Sequence, residues 1–172
     1  MQVFNYRGKS LKDGEWVYGQ LLYNDAADTA IIVKRFDGSP IAMNVAAHSV
    51  RVDKDTVCVQ VGTAKNGDPV FEGDVVESTS WNEYFSDGSG VMKPFVRKFV
   101  VGYKGCNAVL VEIFNADNKF VETSAVFSLS DVSDLVVDGN LIDNPEMAPE
   151  KFYEYLEKIK SGKDPRENGK RF

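Results

Sequence analysis

Lys65-Asn66-Gly67-Asp68-Pro69-Val70-Phe71-Glu72-Gly73-Asp74-Val75-Val76 decides the fold. It holds two turn signals around one short apolar run. Asn-Gly supplies a positive φ cheaply, and Pro69 cannot donate to a central ladder, so a strand begins there rather than continues. Glu72-Gly73-Asp74 breaks the run after three residues, and Val75-Val76 resumes it. Strands this short, separated by glycine turns, are the sign of a β-rich chain.

The same grammar extends in both directions. Upstream, Lys12-Asp13-Gly14 precedes the run Trp16 to Tyr23, and Ala30 to Phe36 leads into Asp37-Gly38-Ser39-Pro40. The Asp-Gly pair there predicts a hairpin, with Ile41 to Val45 as its returning strand. Val57, Val59 and Val61 alternate with Cys58 and Gln60, which reads as a further strand. Downstream, residues 82–94 read as a long loop. Strands are expected over Phe95 to Tyr103, Cys106 to Phe114 and Phe120 to Phe127, turning at Lys104-Gly105 and at Asn115-Ala116-Asp117-Asn118. Leu135-Val136-Val137 and Leu141-Ile142 flank Asp138-Gly139-Asn140, another hairpin signal.

One helix is expected, over 148–162. Pro149 suits its first turn, Glu150 suits the positive end of its dipole, and Gly162 is placed to stop it. Phe152, Tyr155, Leu156 and Ile159 share one face, with Glu154 and Lys158 paired on the other. That face is expected to dock on the sheet. Lys163 to Phe172 is polar and reads as a disordered tail. The predicted class is therefore mainly β. Several short antiparallel strands form barrel- or sandwich-like sheets, with one C-terminal helix, in a β domain over 1–147 that divides into subdomains 1–62 and 63–147.

Composition bounds the function. A chain of 172 residues with 43% hydrophobic residues can hold a core without staples. Cys58 and Cys106 lie far apart in apolar runs, which predicts two buried thiols in a reducing compartment. Nothing at the start reads as a signal peptide, and no apolar run approaches the ~20 residues of a membrane span, so a cytoplasmic protein is expected. Net charge is −6 and unevenly placed. Residues 1–62 carry 7 basic and 7 acidic groups, 63–145 carry 6 and 13, and 146–172 carry 7 and 6. The acidic middle disfavours a broad nucleic-acid surface, because that affinity comes from neutralising phosphates.

Three blocks together resemble the YopX family of phage and prophage proteins. The first is Tyr6-Arg7-Gly8-Lys9 with Gly14-Glu15-Trp16-Val17-Tyr18-Gly19, similar to the family's Phe-Arg-Gly-Lys and Gly-x-Trp-Val-Tyr-Gly. The second is Thr56-Val57, Gly62, Lys65-Asn66-Gly67 and Val70 to Val76, similar to its Lys-Asn-Gly and Ile-Tyr-Glu-Gly-Asp-Ile-Val. The third is Gly139-Asn140-Leu141-Ile142-Asp143-Asn144-Pro145-Glu146-Met147, similar to its Gly-Asn-Ile-Tyr-x-Asn-Pro-Glu-Leu. Here the family's Gly-Gln-Tyr-Thr is replaced within Val57 to Gly62. The resemblance implies a phage or prophage origin in a bacterium and a β-rich fold with a small barrel. It implies no reaction. Glu72 to Val76 also looks like the turns that open strands in SH3-like small barrels, an analogy of fold alone. Arg7, Gly8, Trp16, Tyr18, Gly19, Glu72, Gly73, Asp74, Asn140, Asn144 and Pro145 are read as folding determinants of these motifs.

No catalytic constellation emerges. His48 is the only histidine, and Glu72 and Asp74 flank a glycine turn where carboxylates usually cap or face water. Gly88-Ser89-Gly90 is not a nucleophile elbow. Asp131, Asp134, Asp138 and Asp143 lack calcium-loop spacing. No enzyme and no cofactor are expected. The strongest candidate surface is Trp81, Tyr84, Phe85, Lys93, Phe95, Arg97 and Lys98, aromatics interleaved with cations. That pattern suits an interface hot spot, stacking on single-stranded bases, or core packing. The favoured expectation is a protein-interaction module that self-associates or takes a phage or host protein; the alternative is a nucleic-acid-binding small barrel.

Overall fold

The computed structural model describes residues 6–24, 28–34, 40–80, 95–104, 107–114, 126–132 and 134–160. The expected loop over 82–94, the Asn115 to Asn118 turn, Cys106, Gly162 and the tail lie outside them. The chain is mainly β, in two antiparallel sheets with a helix near the C-terminus. It divides into two compact units, Met1–Val61 and Gly62–Phe172.

The first unit holds β1 (Tyr6–Lys9), β2 (Trp16–Asn24), β3 (Thr29–Val33), β4 (Ser49–Val52) and most of β5 (Cys58–Thr63), in the order β4-β3-β2-β1-β5. β2 serves two partners. Its first half, Trp16 to Gly19, pairs β1, and its second half, Gln20 to Asn24, pairs β3. The change falls at Gly19, where an added Cβ would sit 2.1 Å from the Val33 carbonyl oxygen. Only glycine allows that approach. Val17, Ala30, Ile32 and Val52 form the buried cluster, with Leu21, Val50 and Val57 against it.

A correction falls between β3 and β4. Ile41 to Val45 is no returning strand: α1 (Ile41–His48) occupies the segment, entered through Pro40. Ala42, Ala46 and Ala47 are the best helix formers, and they outweigh the two β-branched residues, Ile41 and Val45. The partner of β3 is β4 instead, with Ile32 opposite Val50.

β5 leads through a turn over 64–68 to β6 (Pro69–Phe71), its hairpin partner. The turn forms as its sequence predicts. Gly67 takes φ +92°, the Asp68 N–H donates to Asn66 Oδ1 at 3.1 Å, and the Ala64 N–H donates to the Asp68 carbonyl at 2.7 Å. Glu72-Gly73 then turns into β7 with Gly73 at φ +79°.

The second unit holds the order β10-β9-β8-β7-β11. Its strands are β7 (Asp74–Ser80), β8 (Phe95–Lys104), β9 (Asn107–Phe114), β10 (Val126–Ser128) and β11 (Val136–Asn140). The expected strands over 95–103 and 106–114 are β8 and β9; of 120–127 only the end, in β10, is described. β11 is the second correction. Asp138-Gly139-Asn140 is not a hairpin turn but the end of a continuous strand paired to β7, bulged between Val137 and Gly139. Gly139 is needed there for a close approach: a Cβ would meet Met147 Sδ at 2.7 Å and Asn144 Oδ1 at 3.3 Å. The turn comes later, where Asn140 Oδ1 accepts from the N–H groups of Ile142 and Asp143.

α2 (Glu150–Lys160) follows a short 3-10 turn over Pro145–Met147. Phe152 and Tyr155 are buried against Val75, Val100, Val109, Val111 and Ile113, so the helix docks on its own sheet as its amphipathic face predicts. The Tyr153 hydroxyl donates to the Pro145 carbonyl at 2.8 Å and ties helix to turn. Among the described residues no helix is long and apolar enough to cross a membrane, and neither ladder order returns to its first strand.

Candidate interaction surface

Of the aromatic-cation segment, Trp81, Tyr84, Phe85 and Lys93 lie outside the described residues, and only the backbone of Phe95 is described, at the start of β8. Arg97 and Lys98 are neighbours in one strand, so their side chains leave on opposite faces. They cannot form one cationic patch. Arg97 Nε and Nη2 donate to the two oxygens of Glu112 at 2.8 and 2.9 Å. The guanidinium also sits 4.7 Å from the Phe127 ring centroid and 5.3 Å from that of Phe99. Lys98 Nζ reaches Glu77 at 2.7 Å and Asp138 at 2.8 Å. Asp138 first and Glu77 second raise its pKa above the ordinary lysine value. The sign follows: the contribution is complete at neutral pH and is lost only as pH rises through that raised pKa.

The Arg97–Glu112 pair yields a prediction. Glu112 is 6% exposed, and its bidentate geometry is the strong form of the ion pair. Glu112→Gln keeps the shape but strips the charge that neutralises a guanidinium lodged against two rings. We expect a loss of about 2 kcal/mol, below the 3–5 of a fully buried broken pair, because the Arg97 side chain keeps 22% of its exposure. Denaturant unfolding checks it; an unchanged midpoint would show the pair to be idle.

The motif residues make the following contacts. Asp74 is fully buried, and its Oδ2 accepts from the Phe71 N–H at 2.8 Å, so this carboxylate fixes the Glu72-Gly73 turn. Buried Arg7 lies 4.5 Å from the Trp16 ring centroid, with Lys9 Nζ at 5.5 Å. Arg7 faces Tyr18 across the β1–β2 ladder. A Cβ on Gly8 would lie 3.1 Å from Val52. Asn144 precedes the 3-10 turn that Pro145 opens, and the Met147 N–H donates to the Asn144 carbonyl.

A groove of about 620 Å³ opens in the first unit. Leu11, Trp16, Val17 and Val50 give it apolar surface; Lys12, Lys34 and Arg51 bring cations, and Asp13 and Glu15 carboxylates. The β1–β2 turn builds one side. The Gly14 N–H donates to the Ser10 carbonyl at 2.9 Å, and Asp13 Oδ1 accepts from the Glu15 N–H at 3.2 Å. The Ser10 hydroxyl and then that amide lower the Asp13 pKa, so its carboxylate is spoken for by the turn. The other side comes from β4: the Leu11 N–H donates to the Arg51 carbonyl at 3.0 Å, and Ser10 bridges Val52. Leu11 stays 65% exposed. Sequence reading passed over these residues because Ser10-Leu11-Lys12-Asp13-Gly14 reads simply as a turn; its one signal was a leucine where turns are usually polar.

No family model matches this chain, and no curated protein does. A solved structure does resemble it: protein EF1440 from Enterococcus faecalis, with 18% identity and a TM-score of 0.47 over 87% of this chain and 100% of that one. Among the described residues no three His, Cys, Asp or Glu side chains gather as a metal site. Cys58 is a buried free thiol.

Proposed function

We propose that this chain is a non-enzymatic protein-interaction module that self-associates, of phage or prophage origin and YopX-like in its motifs. The groove carries the reading. Apolar surface beside charges of both signs suits a protein surface, which combines an apolar anchor with a polar rim. The carboxylates nearest to chemistry are already committed: Asp74 to the Phe71 amide, Asp13 to its turn and Glu112 to Arg97. We also read the first unit as an SH3-like small barrel. The Ser10–Val52 bridge and the Asp53 N–H donating to the Lys9 carbonyl at 2.8 Å support that reading, since they draw the end of β1 to β4.

Nucleic-acid binding is the second reading, and Trp16 with Lys12, Lys34 and Arg51 in one groove favours it. Sedimentation velocity across a concentration series tests the first. We expect a monomer–dimer equilibrium without added nucleic acid; a monomer at every concentration overturns self-association. A labelled oligothymidine in the same cell tests the second, which requires binding that falls steeply with salt.

A further inference from the structure

We propose that the groove takes an extended peptide segment of a protein partner, added as a strand to the open edge of β4. An apolar side chain of that segment lies over Val50, and a carboxylate stands beside Arg51. The inference rests on the interaction reading and deepens it by naming the partner's form.

The edge follows from the ladder. The Lys34 N–H donates to the His48 carbonyl at 3.1 Å, so Val33 and Ser49 form a non-hydrogen-bonded pair and Ile32 and Val50 a bonded one. The main-chain groups of Val50 and Val52 therefore point to β3, and those of Ser49 and Arg51 point away from it. Two of the outward groups are used. The Ser49 N–H donates to the Val45 carbonyl at the end of α1, and the Arg51 carbonyl accepts from Leu11. The Arg51 N–H and the Ser49 carbonyl have no partner among the described residues. A donor and an acceptor flanking Val50 in this way are what one residue of an added antiparallel strand requires. The Ser10–Val52 bridge begins such a ladder, but Lys12, next in line to face Val50, turns away with its N–H on the Ser10 hydroxyl at 3.2 Å. The place opposite Val50 opens into the groove instead. β4 carries neither the proline nor the bulge that blunts a sheet edge.

Strand alternation fixes the side chains of the occupant. Val50 packs against the buried cluster that holds Val17, and both line the groove, so the residue opposite Val50 is apolar. Its neighbours stand on the other face, with the side chains of Ser49 and Arg51. The Arg51 guanidinium makes no ion pair among the described residues, so a carboxylate there meets an uncommitted cation across the new pair of strands. Net charge does not choose the ligand. Lys34 already has a partner, and Lys12 and Arg51 then balance Asp13 and Glu15. A polyanion gains little from such a site, and the Trp16 ring on which a base would stack already carries the Arg7 guanidinium. What the groove can recognise is main-chain pairing with one apolar and one acidic side chain, the strand-addition mode of peptide binding.

The probe is a capped heptapeptide alternating valine with aspartate, titrated into the isotope-labelled full-length chain and followed by amide resonances. The Arg51 amide is expected to shift most and to gain protection from exchange. With a valine opposite Val50, the aspartate amides face β4 and the valine amides face away. Methylating the aspartate nitrogens is therefore expected to weaken binding at least about tenfold, and methylating the valine nitrogens less than about threefold. Arg51→Gln removes the charge and keeps the N–H, for an expected loss of about threefold. Arg51→Pro removes the donor as well, at an outward-facing edge position that proline tolerates, and is expected to bind at least about tenfold more weakly than Arg51→Gln. If the proline chain does not fold, the two methylated peptides decide. Equal binding by both methylated peptides overturns the proposal, as does a wild-type Arg51 amide that ignores the peptide. Oligothymidine moving that amide while the peptide does not overturns it in favour of nucleic acid. The sedimentation series judges self-association separately, so a monomer whose Arg51 amide answers the peptide loses that reading and keeps this one.

Discussion

Gly19→Ala is expected to cost more than about 3 kcal/mol and to unfold the first unit, at or beyond the upper end of overpacking penalties. The reason is the nature of the neighbour. The added Cβ would lie 2.1 Å from the Val33 carbonyl oxygen, 2.8 Å from its carbon and 3.0 Å from Ile32 Cγ2. A flexible side-chain tip could swing aside; a carbonyl in the β2–β3 ladder cannot move without breaking the pairing of Gln20 with Val33. Relief would have to come at the point where β2 leaves β1 for β3, so either ladder must open. A control separates crowding from backbone conformation. Gly67→Ala forces a left-handed φ of +92° with nothing within 4 Å, and is expected to cost only about 1–2 kcal/mol. Denaturant unfolding of the two variants decides the matter: a Gly19 variant no less stable than the Gly67 variant would sink the steric account.

That glycine marks the limit of what sequence could reveal. The turn glycines were legible because Asn66-Gly67 and Glu72-Gly73 need a positive φ, a local property of the chain. Gly19 and Gly139 are glycines for a different reason, the close approach of other residues, Val33 across the ladder for one and Met147 after the following turn for the other, and no local signal separates the two uses. Gly139 was therefore mistaken for a turn when it lies in β11 beneath Met147. Ile41 to Val45 misled similarly, since an Asp-Gly before an apolar run suggests a hairpin while the alanines after it decide for α1. Arg97 and Lys98 looked like one cationic cluster because adjacency is visible in sequence; their separation by the pleat, and the carboxylates awaiting each, depend on ladder registers that are not. The groove was hidden for the same reason: its sides, the Ser10 to Glu15 turn and Ser49 to Arg51, are brought together by main-chain contacts between segments far apart in sequence, such as the bond from Leu11 to Arg51.

Phe152→Ala is expected to cost about 3–5 kcal/mol, the range for emptying a large buried aromatic site. Phe152 has no exposed surface and lies among Val75, Val100, Val109, Val111, Ile113 and Tyr155, drawn from three strands and its own helix. The effect should exceed the lost contacts. An 11-residue helix has little stability of its own in water, so α2 persists because this face is packed. Among the described side chains, removing this anchor leaves Tyr155 as the buried residue of the helix, with Ala148 just before it, and the helix should detach before the sheet melts. Hydrogen exchange then distinguishes two events: amides of α2 lose protection first, and those of β8 and β9 follow as Val100 and Val111 meet water. Glu154→Ala on the exposed face of the same helix should stay within about 0.5 kcal/mol of wild type. If the Phe152 variant lost no more than the Glu154 variant, or if α2 and β8 lost protection together, the docking of this helix would not be what covers that end of the sheet.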